Sequence, residues 1–255
     1  MMALHPDFLR LPIAHRTLHD RAAGRPENSR AAVRAAVAAG YAIEIDIQPS
    51  EDGVPMVFHD YDLRRLTGVS GRIRGLSARK LATLRLLGGE DGIPTLAEVL
   101  AIVAGRVPLL IEIKDQDGGL GPEVGLLEQA VAGTLAGYGG PVAVMSFNPH
   151  AVAAFHRAAP GVAVGLTTSA YRAEDWGLIA AGTRDRLREI PDYDRVGACF
   201  ISHEVSDLDR PRVAALKAQG AAVLCWTVKS PEVEAKARQI ADNVTFEDYL
   251  SPLPA

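Results

Sequence analysis

Eight short apolar runs recur along the chain with helix-like stretches between them, and this alternation constrains the fold more than any other feature. They cover residues 11–14, 42–47, 109–113, 142–145, 162–166, 198–201, 222–226 and 243–246. Strands separated by helices pair in parallel, because a parallel connection needs a crossover and a helix supplies one. An open doubly wound sheet commonly needs only about five or six strands. Eight strands in a chain of 255 residues fit a closed α/β barrel, the (β/α)8 or TIM architecture, as one domain over 1–255. The stretch from Pro49 to Pro94 has no barrel-like element and is too long for an unstructured loop, so residues 49–94 are expected to form a small insertion after the second strand.

Local signals support this layout. Asn28 is expected to cap a helix over 29–39 that Gly40 closes, and Thr95-Leu96-Ala97-Glu98 is a capping-box pattern. Asp52-Gly53, between Ile47 and Met56-Val57-Phe58, predicts a hairpin that turns His59 back toward the second strand.

That second strand carries the first sign of chemistry. Ile43, Ile45 and Ile47 alternate with Glu44, Asp46 and Gln48, so both acids share one face. Their Cα atoms sit about 6.6 Å apart, close enough for the carboxylates to converge on one hard cation. Two like charges on a buried face raise each other's pKa, and a divalent ion relieves that. Arg or Lys answering the acids across the sheet would relieve it too. The third run adds Glu112, with Lys114 two residues on along the same face. Barrel active sites form where the strands end, and there the chain also places His15 and Arg16, Ser146-Phe147-Asn148, His203-Glu204 and Trp226-Thr227. Glu44, Asp46 and Glu112 make an all-oxygen set suited to Mg²⁺ or Ca²⁺, with Mn²⁺ as a further candidate, and the set lacks the thiolates and imidazoles typical of zinc. Arg16 and Lys114 beside such a metal suit a phosphate group, and His15 and His59 suit proton transfer to and from it.

At these residues the chain resembles the glycerophosphodiester phosphodiesterase family. The matching segments are His15-Arg16-Thr17, Glu27-Asn28-Ser29, Glu44-Ile45-Asp46, Ser50-Glu51-Asp52-Gly53, His59-Asp60, Ile93-Pro94-Thr95-Leu96, Ile111-Glu112-Ile113-Lys114, Ser146-Phe147-Asn148 and Trp226-Thr227-Val228. The resemblance implies a TIM barrel that hydrolyses a glycerophosphodiester to an alcohol and glycerol 3-phosphate with one divalent cation. It implies Glu44, Asp46 and Glu112 as metal ligands, His15 and His59 as the acid and base, and Arg16 and Lys114 as phosphate contacts. Trp226 suits a substrate-stacking wall or simple core, and Glu27 is a secondary substrate-side candidate. Thr17 stands where the family has glycine, and the segment 243–248 lacks the family's glycine-rich Ile-Ile-Thr-Asp ending.

Other readings and exclusions follow from the same residues. A Schiff-base aldolase using Lys114 is one rival, although three nearby acids would keep that amine protonated. A barrel that binds phosphodiesters without cleaving them is another. A net charge of −4 offers no basic footprint for nucleic acid or membrane, so the expected partner is a small-molecule phosphodiester. No segment reads as a signal peptide or a membrane span, which suggests a cytoplasmic protein. Cys199 and Cys225 lie in apolar runs and suit reduced core packing. His5, His19, His150 and His156 read as surface or helix-packing residues, His203 either as structural or rim-exposed or, with Glu204, as pocket-lining, and Arg64, Arg65, Arg72 and Arg74 as a solvated surface or, for a few of them, the fringe of an anionic pocket. The sequence carries no signal for oligomeric state.

Overall fold

The computed structural model describes residues 3–254; Met1, Met2 and Ala255, the ends of the expected single domain, lie outside the described residues. Nine strands form one sheet: β1 (Ile13–Ala14), β2 (Ala42–Pro49), β3 (Pro55–Val57), β4 (Leu109–Ile113), β5 (Val142–Ser146), β6 (Ala163–Thr168), β7 (Phe200–Glu204), β8 (Ala222–Val228) and β9 (Asn243–Phe246). Eight of them pair in parallel, and β1 closes the ring by bonding both β2 and β9. The ninth, β3, runs antiparallel to the end of β2 with Ile47 opposite Val57, which is the expected hairpin. The fold is a TIM barrel with one extra strand outside the ring.

Alternation along each strand explains why both faces are buried. Outward residues such as Ile43, Ile45, Ile111, Val144 and Val223 pack under the surrounding helices. Inward residues Ile13, Ala42, Leu110, Ala143, Ala163, Phe200 and Leu224 fill the floor of the barrel, with Phe8 of a short N-terminal helix (Asp7–Arg10) beneath them. Gly165 belongs to this layer because a Cβ there would lie 2.4 Å from the Phe200 ring. Above the floor the inward positions turn polar, which places the chemistry at the C-terminal mouth. Several strands accordingly run past their apolar segments: β6 continues through Thr168 and β7 through His203 and Glu204, since polar side chains at the mouth extend the ladder as well as apolar ones do.

One cap differs from expectation. The helix Arg30–Ala39 is capped by Ser29, whose Oγ accepts from the Ala32 amide, and not by Asn28. Asn28 is turned into the left-handed region (φ 57°) and commits its side chain to Asp46 instead. Gly40 closes the helix at φ 83°, and the Thr95–Glu98 capping box opens Leu96–Val103 as expected. Between β2 and Leu96–Val103, the residues Met56, Phe58, Leu63, Leu66, Ile73, Leu81, Leu86 and Ile93 bury a separate apolar cluster. Cys199 and Cys225 are unbridged, and burial pushes the Cys225 thiol up to about 12. Among the described residues no helix is long and apolar enough to cross a membrane.

Candidate active site

At the C-terminal mouth lies a cavity open to solvent, lined by His15, Arg16, Glu44, Asp46, His59, Glu112, Lys114 and Trp226, together with Met145, Phe147, Thr227 and Thr245. Eight of the nine residues expected from the sequence therefore meet there. Glu27, the ninth, stands behind them and accepts from Arg16 at 3.1 Å.

The acids come from two adjacent strands whose register sets Asp46 opposite Glu112. Glu44, Asp46 and Glu112 each offer an oxygen within 4.8 Å of the others, and all three are buried. A cation across the sheet does answer two of them: the Lys114 Nζ lies 2.7 Å from Asp46 and 2.5 Å from Glu112. Asp46 is held further by the Asn28 amide at 2.9 Å and by Arg16, whose Nε is 3.7 Å away. Among the described residues, the Glu44 carboxylate receives only the backbone N–H of Arg16, at 2.8 Å. Burial, then the charges of Asp46 and Glu112, push the Glu44 carboxyl well above its ordinary range. Burial would raise Asp46 as well, but Lys114, His59 and Arg16 outweigh it and hold this acid low. Among the described residues no side-chain cation pairs with Glu44 as Lys114 does with Asp46 and Glu112, the donors are all oxygens, and the set can hold a divalent metal.

Lys114 itself is raised, since the two carboxylates overcome the desolvation that would lower it. An ammonium so held has no free lone pair, which removes the Schiff-base rival.

Each histidine has a carboxylate on Nδ1. Asp60 bonds His59 at 2.7 Å, and Glu247 bonds His15 at 2.6 Å. Burial pulls the His15 pKa below the ordinary imidazole value despite that partner. Arg16 is braced by Glu27, and Arg65 joins Glu27 at 2.8 Å to Asp60 at 2.6 Å, so the two histidine-bearing segments are tied together behind the cavity. Arg65, for which the sequence left open solvated surface or the fringe of a pocket, thus ties acids together behind the cavity.

Trp226 is half-buried on the wall, donates its indole N–H to the Ser202 carbonyl at 3.0 Å, and meets Phe147 edge-on at 5.5 Å. Thr17 adopts φ 77°, the left-handed conformation that a glycine takes without penalty, and its amide bonds the Glu44 carbonyl at 3.0 Å. His203 is buried away from the cavity: Thr168 meets its Nδ1 at 2.8 Å and Asp207 its Nε2 at 3.1 Å, a lock between strand ends and not a rim group. Its neighbour Glu204 pairs with Arg172 at 2.6 Å. His19 stands near the site, 3.6 Å from Glu247, which its sequence context did not suggest. Sequence reasoning also missed Glu247, and it set Phe147 at the mouth without giving it a role. Phe147 had a signal in the Ser-Phe-Asn segment at a strand end, whereas Glu247 had only an inward parity two residues past Thr245.

Comparison with known proteins identifies the family. The Glycerophosphoryl diester phosphodiesterase family matches residues 15–248. YhdW of Bacillus subtilis (strain 168) is 26% identical over 247 residues, covering 93% of each chain. Glycerophosphodiester phosphodiesterase 1 of Rattus norvegicus is 41% identical over 98 residues, 34% of this chain and 28% of that one. Among solved structures, an Oleispira antarctica phosphodiesterase in complex with the product sn-glycerol-3-phosphate is 26% identical, with a TM-score of 0.76 over 92% of this chain and 93% of that chain. With the family matched over nearly its whole length and the barrel shared, this chain belongs to the glycerophosphoryl diester phosphodiesterase family and is a phosphodiester hydrolase.

Proposed function

We propose that the protein hydrolyses glycerophosphodiesters to an alcohol and glycerol 3-phosphate, using one divalent cation, Mg²⁺ or Ca²⁺ with Mn²⁺ as a substitute, and His15 and His59 as acid and base. The observation that carries this reading is that two imidazoles and three carboxylates, drawn from separate segments of the chain, line one cavity. Glu44, Asp46 and Glu112 would hold the cation, which would supply Lewis-acid stabilisation of negative charge on the phosphate. Arg16 and Lys114 keep fixed positive charge at the same wall, so a phosphodiester is drawn in and its developing charge is stabilised without rearrangement. One histidine takes the proton of the substrate's free glycerol hydroxyl, whose oxygen attacks phosphorus, and the other protonates the departing alcohol. Water then opens the cyclic phosphate, and the two histidines exchange roles. Trp226 with Phe147 forms an apolar wall against which the substrate packs. Glu27 acts on the substrate through Arg16, which it braces.

A coupled assay for released glycerol 3-phosphate tests this, run on glycerophospho-choline, -ethanolamine, -inositol and -glycerol with chelator or with each metal. Release that requires metal is expected. Tight binding without turnover at saturating Mg²⁺, Mn²⁺ and Ca²⁺ would establish the non-catalytic barrel instead. A diester whose neighbouring hydroxyl is blocked is expected to be inert, and equal cleavage of it would replace the two-step scheme with direct attack by water.

A further inference from the structure

We propose that Glu247 is a positioning residue for His15, fixing which of its ring nitrogens faces the substrate. The inference rests on the reading of His15 as a proton-transfer group.

Glu247 reaches His15 because of where β9 delivers it. Along that strand Asn243 and Thr245 point inward, the first bonding the Phe8 and Leu11 carbonyls in the floor and the second lining the cavity. Phe246, between them and Glu247, faces outward and packs on Tyr41 with ring centroids 4.9 Å apart. Glu247 therefore has inward parity. Its backbone is clamped on both sides: the Glu247 amide donates to the Val228 carbonyl at 3.0 Å, and the His15 amide donates to the Phe246 carbonyl at 2.9 Å. The carboxylate and the imidazole thus hang from neighbouring, hydrogen-bonded strands, 232 residues apart in sequence.

The carboxylate divides its two oxygens. Oε2 meets the His15 Nδ1 at 2.6 Å, and Oε1 meets the Lys229 Nζ at 2.5 Å. His19 adds a third base at 3.6 Å from Oε2. Both partners of the His15 pair are largely buried, with side-chain exposures of 14% and 13%. Burial would lift the Glu247 carboxyl, but these basic neighbours hold it far below its ordinary range. An ionised carboxylate only accepts hydrogen bonds, so Nδ1 must carry the hydrogen, and a neutral His15 then has its lone pair on Nε2. Lys229, more than half exposed on the turn after β8, holds the other oxygen and keeps the carboxylate from rotating away. Asp60 makes the equivalent contact to His59 from the next position in the chain, so each imidazole at this mouth is oriented by one acid.

The test compares wild type with E247Q, E247D and H15A. Gln preserves size but can present an N–H to the ring, which favours the opposite tautomer, whereas Asp keeps the charge. Imidazole ¹H–¹⁵N correlation spectra, with His15 assigned by H15A, read the tautomer directly without turnover. Wild type is expected to show hydrogen on Nδ1, and E247Q a shift toward hydrogen on Nε2. For E247Q kcat is expected to fall by about 10² to 10⁴, the upper end being the loss seen when a triad aspartate is amidated, with KM within about threefold. E247D is expected to recover at least about tenfold of that kcat. The proposal is overturned if H15A is inactive while E247Q keeps the wild-type tautomer and a kcat within about threefold. It is equally overturned if kcat and melting temperature fall together with the tautomer unchanged, which marks a brace alone. Full activity in H15A would instead sink the role of His15 itself.

Discussion

Removing the Lys114 ammonium isolates the physics of the acid cluster. In Lys114→Met the methylene stem is kept, but Asp46 and Glu112 lose the cation that sits 2.7 and 2.5 Å from them. Breaking a buried pair this way strands charge and costs about 3–5 kcal/mol. The remaining repulsion points the same way: two carboxylate charges no more than 4.8 Å apart interact by at least about 3.5 kcal/mol at an effective dielectric of about 20. At about 2–4 °C per kcal/mol for a chain of this size, the metal-free variant should melt about 6–20 °C below wild type. Divalent cation should then raise the variant's melting temperature by more than it raises that of wild type, because the ion replaces the missing charge and no ammonium competes for the same oxygens. Thermal melts in chelator and in a Mg²⁺ or Ca²⁺ titration measure both effects. The reasoning fails if the two proteins melt within about 2 °C of each other in chelator, or if the metal-induced shifts are equal.

Replacing Glu44 by Gln removes a charge that, among the described residues, no side-chain cation pairs with, so the metal-free melting temperature should hold or rise while activity falls by about 10³ or more and the response to divalent cation disappears; a variant that still turns over at near wild-type rate in saturating metal contradicts the ligand assignment. Gly165→Ala should cost about 1–3 kcal/mol by denaturant melt, because the added methyl would meet the Phe200 ring at 2.4 Å inside a filled layer. Acid should expose the carboxylate pairs at the two histidines. Glu247 and Asp60 both ionise at lower pH in the folded chain than the ordinary carboxylate value of about 4. The unfolded chain then binds more protons as pH drops through that range, so the stability these acids add is complete above it and is lost progressively below it. E247Q should accordingly flatten the fall in stability between about pH 4.5 and pH 2, and an unchanged slope would show that the ion pair contributes nothing to the fold.

Strand number, barrel closure and the meeting of the candidate site residues at one mouth were legible from local pattern. Alternation in Ile43 to Gln48 puts the acids on one face whatever surrounds them, and in Leu109 to Lys114 it does the same for Glu112 and the lysine. A barrel then brings strand ends to one mouth, so residues read separately could be predicted to meet. What local pattern could not reach were choices between partners. Asn28 and Ser29 both suit a helix cap, and only the arrival of Asp46 beside Asn28 decides that Ser29 takes the role. Arg65 reads as surface or pocket-fringe charge until Glu27 and Asp60 are folded against it. Glu247 and His15 become neighbours only because β9 closes the ring on β1, a contact that links the two ends of the chain. Period and composition act over a few residues and are written in the sequence, whereas which charge answers which depends on distances that exist only once the cylinder is shut.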